Sequence, residues 1–96
     1  MIKETTAQEV EQKVNELTIL DVREESETAA GMIPGALNIP LGQILTSLDK
    51  LDQNKEYTVV CRSGNRSSLA CEWLNSKGFK VTNMNGGMMA WTGETV

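Results

Sequence analysis

The chain has 96 residues, 40% of them hydrophobic and 23% charged, with a formal charge of −4 and no histidine. This length builds one core, so a single domain over residues 1–96 is expected; the acidic balance argues against a nucleic-acid partner, and two cysteines without histidine exclude thiolate and mixed Cys/His zinc sites and every Cys-His or Ser-His catalytic pair. No apolar run is long enough to span a bilayer, and the start "MIKETTAQEV" lacks the apolar centre of a secretory signal, so a cytoplasmic protein with no membrane partner is expected.

Taken in chain order, Thr6 and Glu9 form a capping-box pattern that predicts a short helix from Ala7 to Val14. "LTILDV" (Leu17 to Val22) is short, apolar and β-branched, and reads as a buried strand. Glu24 to Ala30 reads as one or two helical turns stopped by Gly31, followed by a turn at Pro34 and Gly35, a brief strand from Ala36 to Ile39, and a break at Pro40. Leu41, Ile44, Leu45, Leu48 and Leu51 fall on one face of a predicted helix over Leu41 to Leu51. Tyr57 to Cys61 is the next strand. Ser67 to Lys77 is the next helix, with Leu69, Ala70, Trp73 and Leu74 inward and Gly78 as its stop. Phe79 to Met84 is the last strand, and Gly86 to Trp91 a terminal helical segment. Strands separated by helices imply an α/β fold with a mostly parallel sheet covered on both faces.

The chemistry concentrates in "VVCRSGNRSS". Ligands of open parallel sheets bind beyond the carboxyl ends of the strands, and Cys61 stands at such an end, just before a helix. Backbone N–H groups of the loop, the positive end of the helix dipole and the charges of Arg62 and Arg66 all favour thiolate over thiol. Gly64 permits the positive φ that a cradle of converging amides requires. A strand-ending cysteine can also be a small buried hydrophobe and Arg-Ser-Gly-Asn-Arg an ordinary turn. The coincidence of strand, cysteine, glycine loop and helix favours the functional reading.

"DVRE" (Asp21 to Glu24), "GMIPGALNIP" (Gly31 to Pro40), "VVCRSGNRS" (Val59 to Ser67) and "VTNMNGGMMAW" (Val81 to Trp91) resemble, in order and spacing, the four successive motifs of single-domain rhodaneses. The resemblance covers nearly the whole chain. It implies a roughly five-stranded parallel α/β fold with helices on both faces, and a sulfurtransferase of the thiosulfate:cyanide type whose catalytic Cys61 carries sulfur as a persulfide. By that resemblance Cys61 attacks the outer sulfur of thiosulfate, releases sulfite and passes the sulfur to a thiol, to cyanide or to a partner sulfur-carrier protein. Such an attack needs an exposed thiolate and a leaving group that departs as a stable anion. Substrate contacts fall to Arg62, Ser63, Gly64, Asn65, Arg66 and Ser67, with the arginines on the doubly charged donor and the loop amides on the persulfide; no metal or organic cofactor is required.

Tyrosine and dual-specificity phosphatases also cradle a thiolate, but with one more residue between cysteine and arginine than the Arg62, Ser63, Gly64 and Asn65 found here. The shorter ring suits a single sulfur better than a phosphoryl group. A phosphatase-like enzyme or small arsenate reductase is therefore a third reading, behind a non-enzymatic persulfide carrier or binding module. Met32 stands where the family commonly has histidine, and is expected only to pack the turn. Asp21 and Arg23 are expected to be structural, the carboxylate tying down backbone amides and the arginine in an internal ion pair. Cys71, mid-helix and next to Glu72, is expected to be an inert packed thiol with a raised pKa. Gly86 and Gly87 are expected to allow a tight turn or close packing, and Trp91 to cover the sheet; Met84, Met88 and Met89 are assigned to the core, with an exposed partner surface as the alternative.

Overall fold

A computed structural model describes residues 2–96. Its elements are β1 (Lys3–Thr6), α1 (Ala7–Gln12), β2 (Thr18–Asp21), α2 (Glu25–Thr28), β3 (Leu37–Asn38), β4 (Glu56–Val60), α3 (Asn65–Ser76) and β5 (Lys80–Asn85). Short 3-10 segments at Leu41–Thr46, Leu48–Lys50 and Gly87–Ala90 complete it. The five strands lie in the order β1-β5-β4-β2-β3, every pairing parallel. Among the described residues no helix is long and apolar enough to cross a membrane.

Successive strand residues point to opposite faces, so the inner strands β2, β4 and β5 each feed two cores. On one face Leu20 and Val59 pack with Ala70, Cys71 and Leu74 of α3 and with Ile44. On the other, Ile19, Val60 and Met84 pack with Ala7 and Val10 of α1 and with Ile33. The same alternation sends Cys61, the residue after β4, to the α3 side with Val59. Asn83 lies beside Val59 in register, which puts its side chain on that face as well.

Four expectations are corrected. The polar strand β1 was not anticipated, because "KETT" is an exposed edge with no apolar alternation to mark it. The stretch Leu41 to Leu51 is two 3-10 turns rather than an α-helix. A three-residue turn stacks Leu41, Ile44 and Ser47, burying Ile44 and Ser47, and carries Leu45 out to 47% exposure. In α3 the inward face is Ser67, Ala70, Cys71 and Leu74, while Leu69 is 39% exposed. The i, i+3, i+4, i+7 spacing held, but it started from a serine, which a reading by hydrophobicity passes over. α3 also begins at Asn65, so Arg66 sits in the first helical turn and the loop shortens to Arg62, Ser63 and Gly64.

Helix starts follow the local chemistry. Thr6 caps α1, its hydroxyl oxygen accepting from the Glu9 amide at 3.2 Å. Glu9 does not reach back to a backbone amide; its carboxylate accepts instead from the Thr5 and Thr6 hydroxyls. In α2 the Glu24 amide donates to the Glu27 carboxylate at 3.0 Å.

Candidate active site

The Cys61 sulfur sits where β4 ends and α3 begins. The Gly64 amide donates to Sγ at 3.0 Å, and the Ser67 hydroxyl lies 3.3 Å away. Gly64 is the N-cap of α3 at φ 105°, a conformation that folds the loop back so that its amides converge on sulfur. Burial alone would raise the Cys61 pKa. The Ser67 hydroxyl together with the amides of Ser67, Gly64 and Ser63 outweighs it, and the thiol is lowered from its ordinary value of 9.0. Hydrogen bonds to sulfur, more than the two guanidinium charges, therefore favour the thiolate.

The rear of the loop is held by the chain that follows β5. The Met88 and Met89 amides donate to the carbonyls of Cys61 and Arg62 at 2.8 and 2.9 Å. Gly87 makes this possible, since a Cβ there would stand 2.5 Å from the backbone of Cys61 and Arg62. Gly86 and Gly87 thus provide the close packing expected of them.

The two arginines part company. Arg62 is exposed. Arg66 makes a forked pair with the Glu27 carboxylate at 2.6 and 2.8 Å, which holds Glu27 down at about 2 and raises Arg66. Its fork is therefore occupied rather than open to a donor. Ser63 and Asn65 are exposed, and Ser67 is fully buried against sulfur. A shallow cavity of about 390 Å³, lined by Arg23, Glu27, Arg62, Met88 and Met89, opens beside the loop. A larger hollow of about 500 Å³ is lined by Lys13, Thr18, Glu56 and Tyr57 and includes no loop residue.

Behind the loop, Asp21 and Arg23 are both buried and pair with each other, Nη2 to Oδ2 at 2.9 Å. Asp21 also accepts from the Arg23 amide at 3.0 Å, and Arg23 donates to the Gly31 carbonyl at 2.8 Å. Asn38 ties this corner to β3 by donating to the Asp21 and Arg23 carbonyls, both at 2.9 Å. Met32 is half-buried and exchanges backbone hydrogen bonds with Val96.

Two features of the site depart from expectation, while Cys71 is the packed, raised thiol expected of it, though not on account of Glu72. Cys61 has no accessible surface, where an exposed thiolate was anticipated. Cys71 is fully buried in the same core as Cys61; its pKa is pushed up to about 12 by burial and then by the charge of Cys61, while its neighbour Glu72 points to solvent. The methionines divide, with Met84 fully buried, Met88 half-buried and Met89 70% exposed at the cavity rim. Glu27 and Asn83 were not anticipated. Glu27 is one of several glutamates around α2, and only Arg66 across the loop singles it out. Asn83 carried no signal of its own, since β5 reads Lys-Val-Thr-Asn-Met-Asn and Asn85 shares its residue type.

The described residues from position 6 to 94 match the family model for the Rhodanese-like domain. "Putative sulfurtransferase YtwF" of Bacillus subtilis is 47% identical, with 98% of this chain and 94% of that protein covered. "Putative sulfur carrier protein YrkF" of the same organism is 41% identical, the match taking in 98% of this chain and 53% of that protein. Among solved structures, a rhodanese-like domain protein from Staphylococcus aureus superposes with a TM-score of 0.91 at 38% identity, covering 97% of this chain and 94% of the other. A parallel sheet in this order, a cysteine cradled at its carboxyl edge and these relatives together place the chain in the rhodanese-like domain family.

Proposed function

We propose that the chain is a thiosulfate-type sulfurtransferase that carries sulfane sulfur as a persulfide on Cys61. The observation that carries the reading is the cradle itself: an amide at 3.0 Å and a hydroxyl at 3.3 Å aimed at one sulfur, with the thiol lowered by these bonds in a site without histidine. The Cys61 thiolate attacks the outer sulfur of thiosulfate, the sulfur–sulfur bond of the donor breaks, and its electron pair leaves with sulfite. The persulfide keeps one negative charge, so charge balances. An acceptor thiolate or cyanide then attacks the outer persulfide sulfur and the Cys61 thiolate departs. The amides of Ser63, Gly64 and Ser67 hold the sulfur anion, and Arg62 at the cavity attracts the dianionic donor. Arg66, engaged by Glu27, anchors the loop to α2. Because Cys61 has no accessible surface, side chains above it must shift as donor enters.

The test is Cys61→Ser, whose hydroxyl is nearly isosteric but does not ionise in the same cradle. Sulfur transfer from thiosulfate should vanish with urea unfolding unchanged. Substantial turnover would end the proposal. A second reading, delivery of persulfide to a partner sulfur-carrier protein, is supported by the relative named as a sulfur carrier. It is distinguished by a persulfidated Cys61 that discharges to a carrier protein but not to cyanide or small thiols.

A further inference from the structure

Asn83 is buried at 4% exposure on β5, behind the Cys61 loop. Its amide nitrogen faces the Gly64 carbonyl at 3.4 Å, and a carbonyl can only accept. That contact orients the carboxamide with its oxygen toward Ser67. The Ser67 hydroxyl donates to this oxygen at 2.5 Å, and its own oxygen lies 3.3 Å from the Cys61 sulfur. Ser67 has one proton and two acceptors to choose between. While Cys61 is a thiol, S–H donates to the Ser67 oxygen and Ser67 donates to Asn83. When Cys61 is a thiolate it needs donors, and the hydroxyl must turn toward sulfur.

We propose that Asn83 is a positioning residue for the Cys61 thiolate: its amide oxygen holds the Ser67 hydroxyl turned away from sulfur while the thiol is protonated, and yields it when the thiolate forms. The proton of Cys61 leaves to solvent; Ser67 keeps its own proton and only changes acceptor. A thiolate is a stronger acceptor than a neutral amide, so the exchange favours ionisation, though less than an uncontested hydroxyl would. Asn83 therefore tempers the thiolate. No charged side chain is needed for this, since the residue is neutral; its second contact, from the amide nitrogen to the Gly64 carbonyl, fixes which way the carboxamide faces.

Other ionisable groups stand around the Cys61 loop and must be separated from this one. They are Arg62 next to Cys61, Arg66 with Glu27 from α3 and α2, the Asp21–Arg23 pair at the end of β2, and Cys71 from α3. None of them is altered by a change at Asn83, and Cys71, at about 12, titrates well above Cys61.

The experiment is titration of Cys61 by ultraviolet thiolate absorbance in the wild type, Asn83→Leu, Ser67→Ala and the double variant. Leucine keeps the branched shape of asparagine, at a larger volume, and accepts nothing. Asn83→Leu should lower the Cys61 midpoint by about half to one pH unit, the size of a neutral hydrogen bond no longer competing for the hydroxyl. Ser67→Ala should raise it, and on that background Asn83→Leu should move it no further. Asn83→Ala serves as the second variant if leucine disturbs folding, with the same direction expected. An unmoved midpoint, a rise, or a shift that survives Ser67→Ala overturns the proposal. Its bearing on turnover rests on the sulfurtransferase reading, but the titration does not. A coupled shift in a protein that transfers no sulfur would refute the activity and leave the hydroxyl exchange standing.

Discussion

Gly87→Ala is the most searching single test of how the loop is held. Gly87 has φ +57°, and an added Cβ would lie 2.5 Å from the Cys61 carbonyl oxygen and from the Arg62 backbone. A left-handed alanine costs about 1–2 kcal/mol. Backbone overlap of this kind adds roughly 1–3 kcal/mol, because carbonyl groups in a loop cannot rotate away as a side chain would. The expected loss is therefore about 2–5 kcal/mol, a large share of the ~5–15 kcal/mol that stabilises a small domain. Gly35→Ala is the control, since Gly35 has φ +81° and nothing within 4 Å of its would-be Cβ. Only the conformational cost, about 1–2 kcal/mol, should appear there. Urea unfolding of the two variants measures the difference. Displacing the Cys61 and Arg62 carbonyls also breaks the bonds from the Met88 and Met89 amides, so Gly87→Ala should slow alkylation of Cys61 under conditions where it remains folded. A Gly87→Ala protein as stable as Gly35→Ala, with Cys61 reactivity intact, would refute the packing argument.

Three other outcomes are expected. With Cys71 at about 12, only about one thiol in 10⁵ is ionised at neutral pH, while Cys61 lies below 9.0; iodoacetamide and thiosulfate should therefore mark the Cys61 peptide alone, and extra sulfur on Cys71 would overturn the one-thiol mechanism. Glu27→Gln should cost about 1 kcal/mol, as expected for a forked pair whose side chains are 33% and 29% exposed. Because folding lowers Glu27 from 4.5 to about 2, that contribution is complete above about pH 4.5 and disappears as pH falls toward 2; a stability gap between wild type and variant that persists at pH 2 would contradict the pairing. Arg62→Ala should raise the KM for thiosulfate about 3- to 10-fold with unfolding unchanged, whereas Arg66→Ala, which strands Glu27, should lower stability as well; the opposite ranking would return the donor site to Arg66.

What the sequence by itself determined is whatever depends on local chemistry. The β-branched runs at Ile19 and Val59, the glycine loop after Cys61 and the four ordered motifs were enough to specify strands, helices and a strand-end thiol, because periodicity and turn chemistry act over a few residues. Asp21 and Arg23 could be read as structural for the same reason, a carboxylate on backbone amides and an arginine in an internal ion pair, but that they pair with each other came from the structure. Edge strand β1 escaped because its polar residues are held by β5, nearly 80 residues away in the chain. Only the tertiary structure decided the partners in the site. Arg66 finds Glu27 across 39 residues and Ser67 finds Asn83 across 16, and neither separation leaves a trace in a local pattern. The parallel sheet makes these meetings: with Asn83 in register beside Val59, its side chain must share the α3 face with Cys61, and the hydroxyl of Ser67 must serve both.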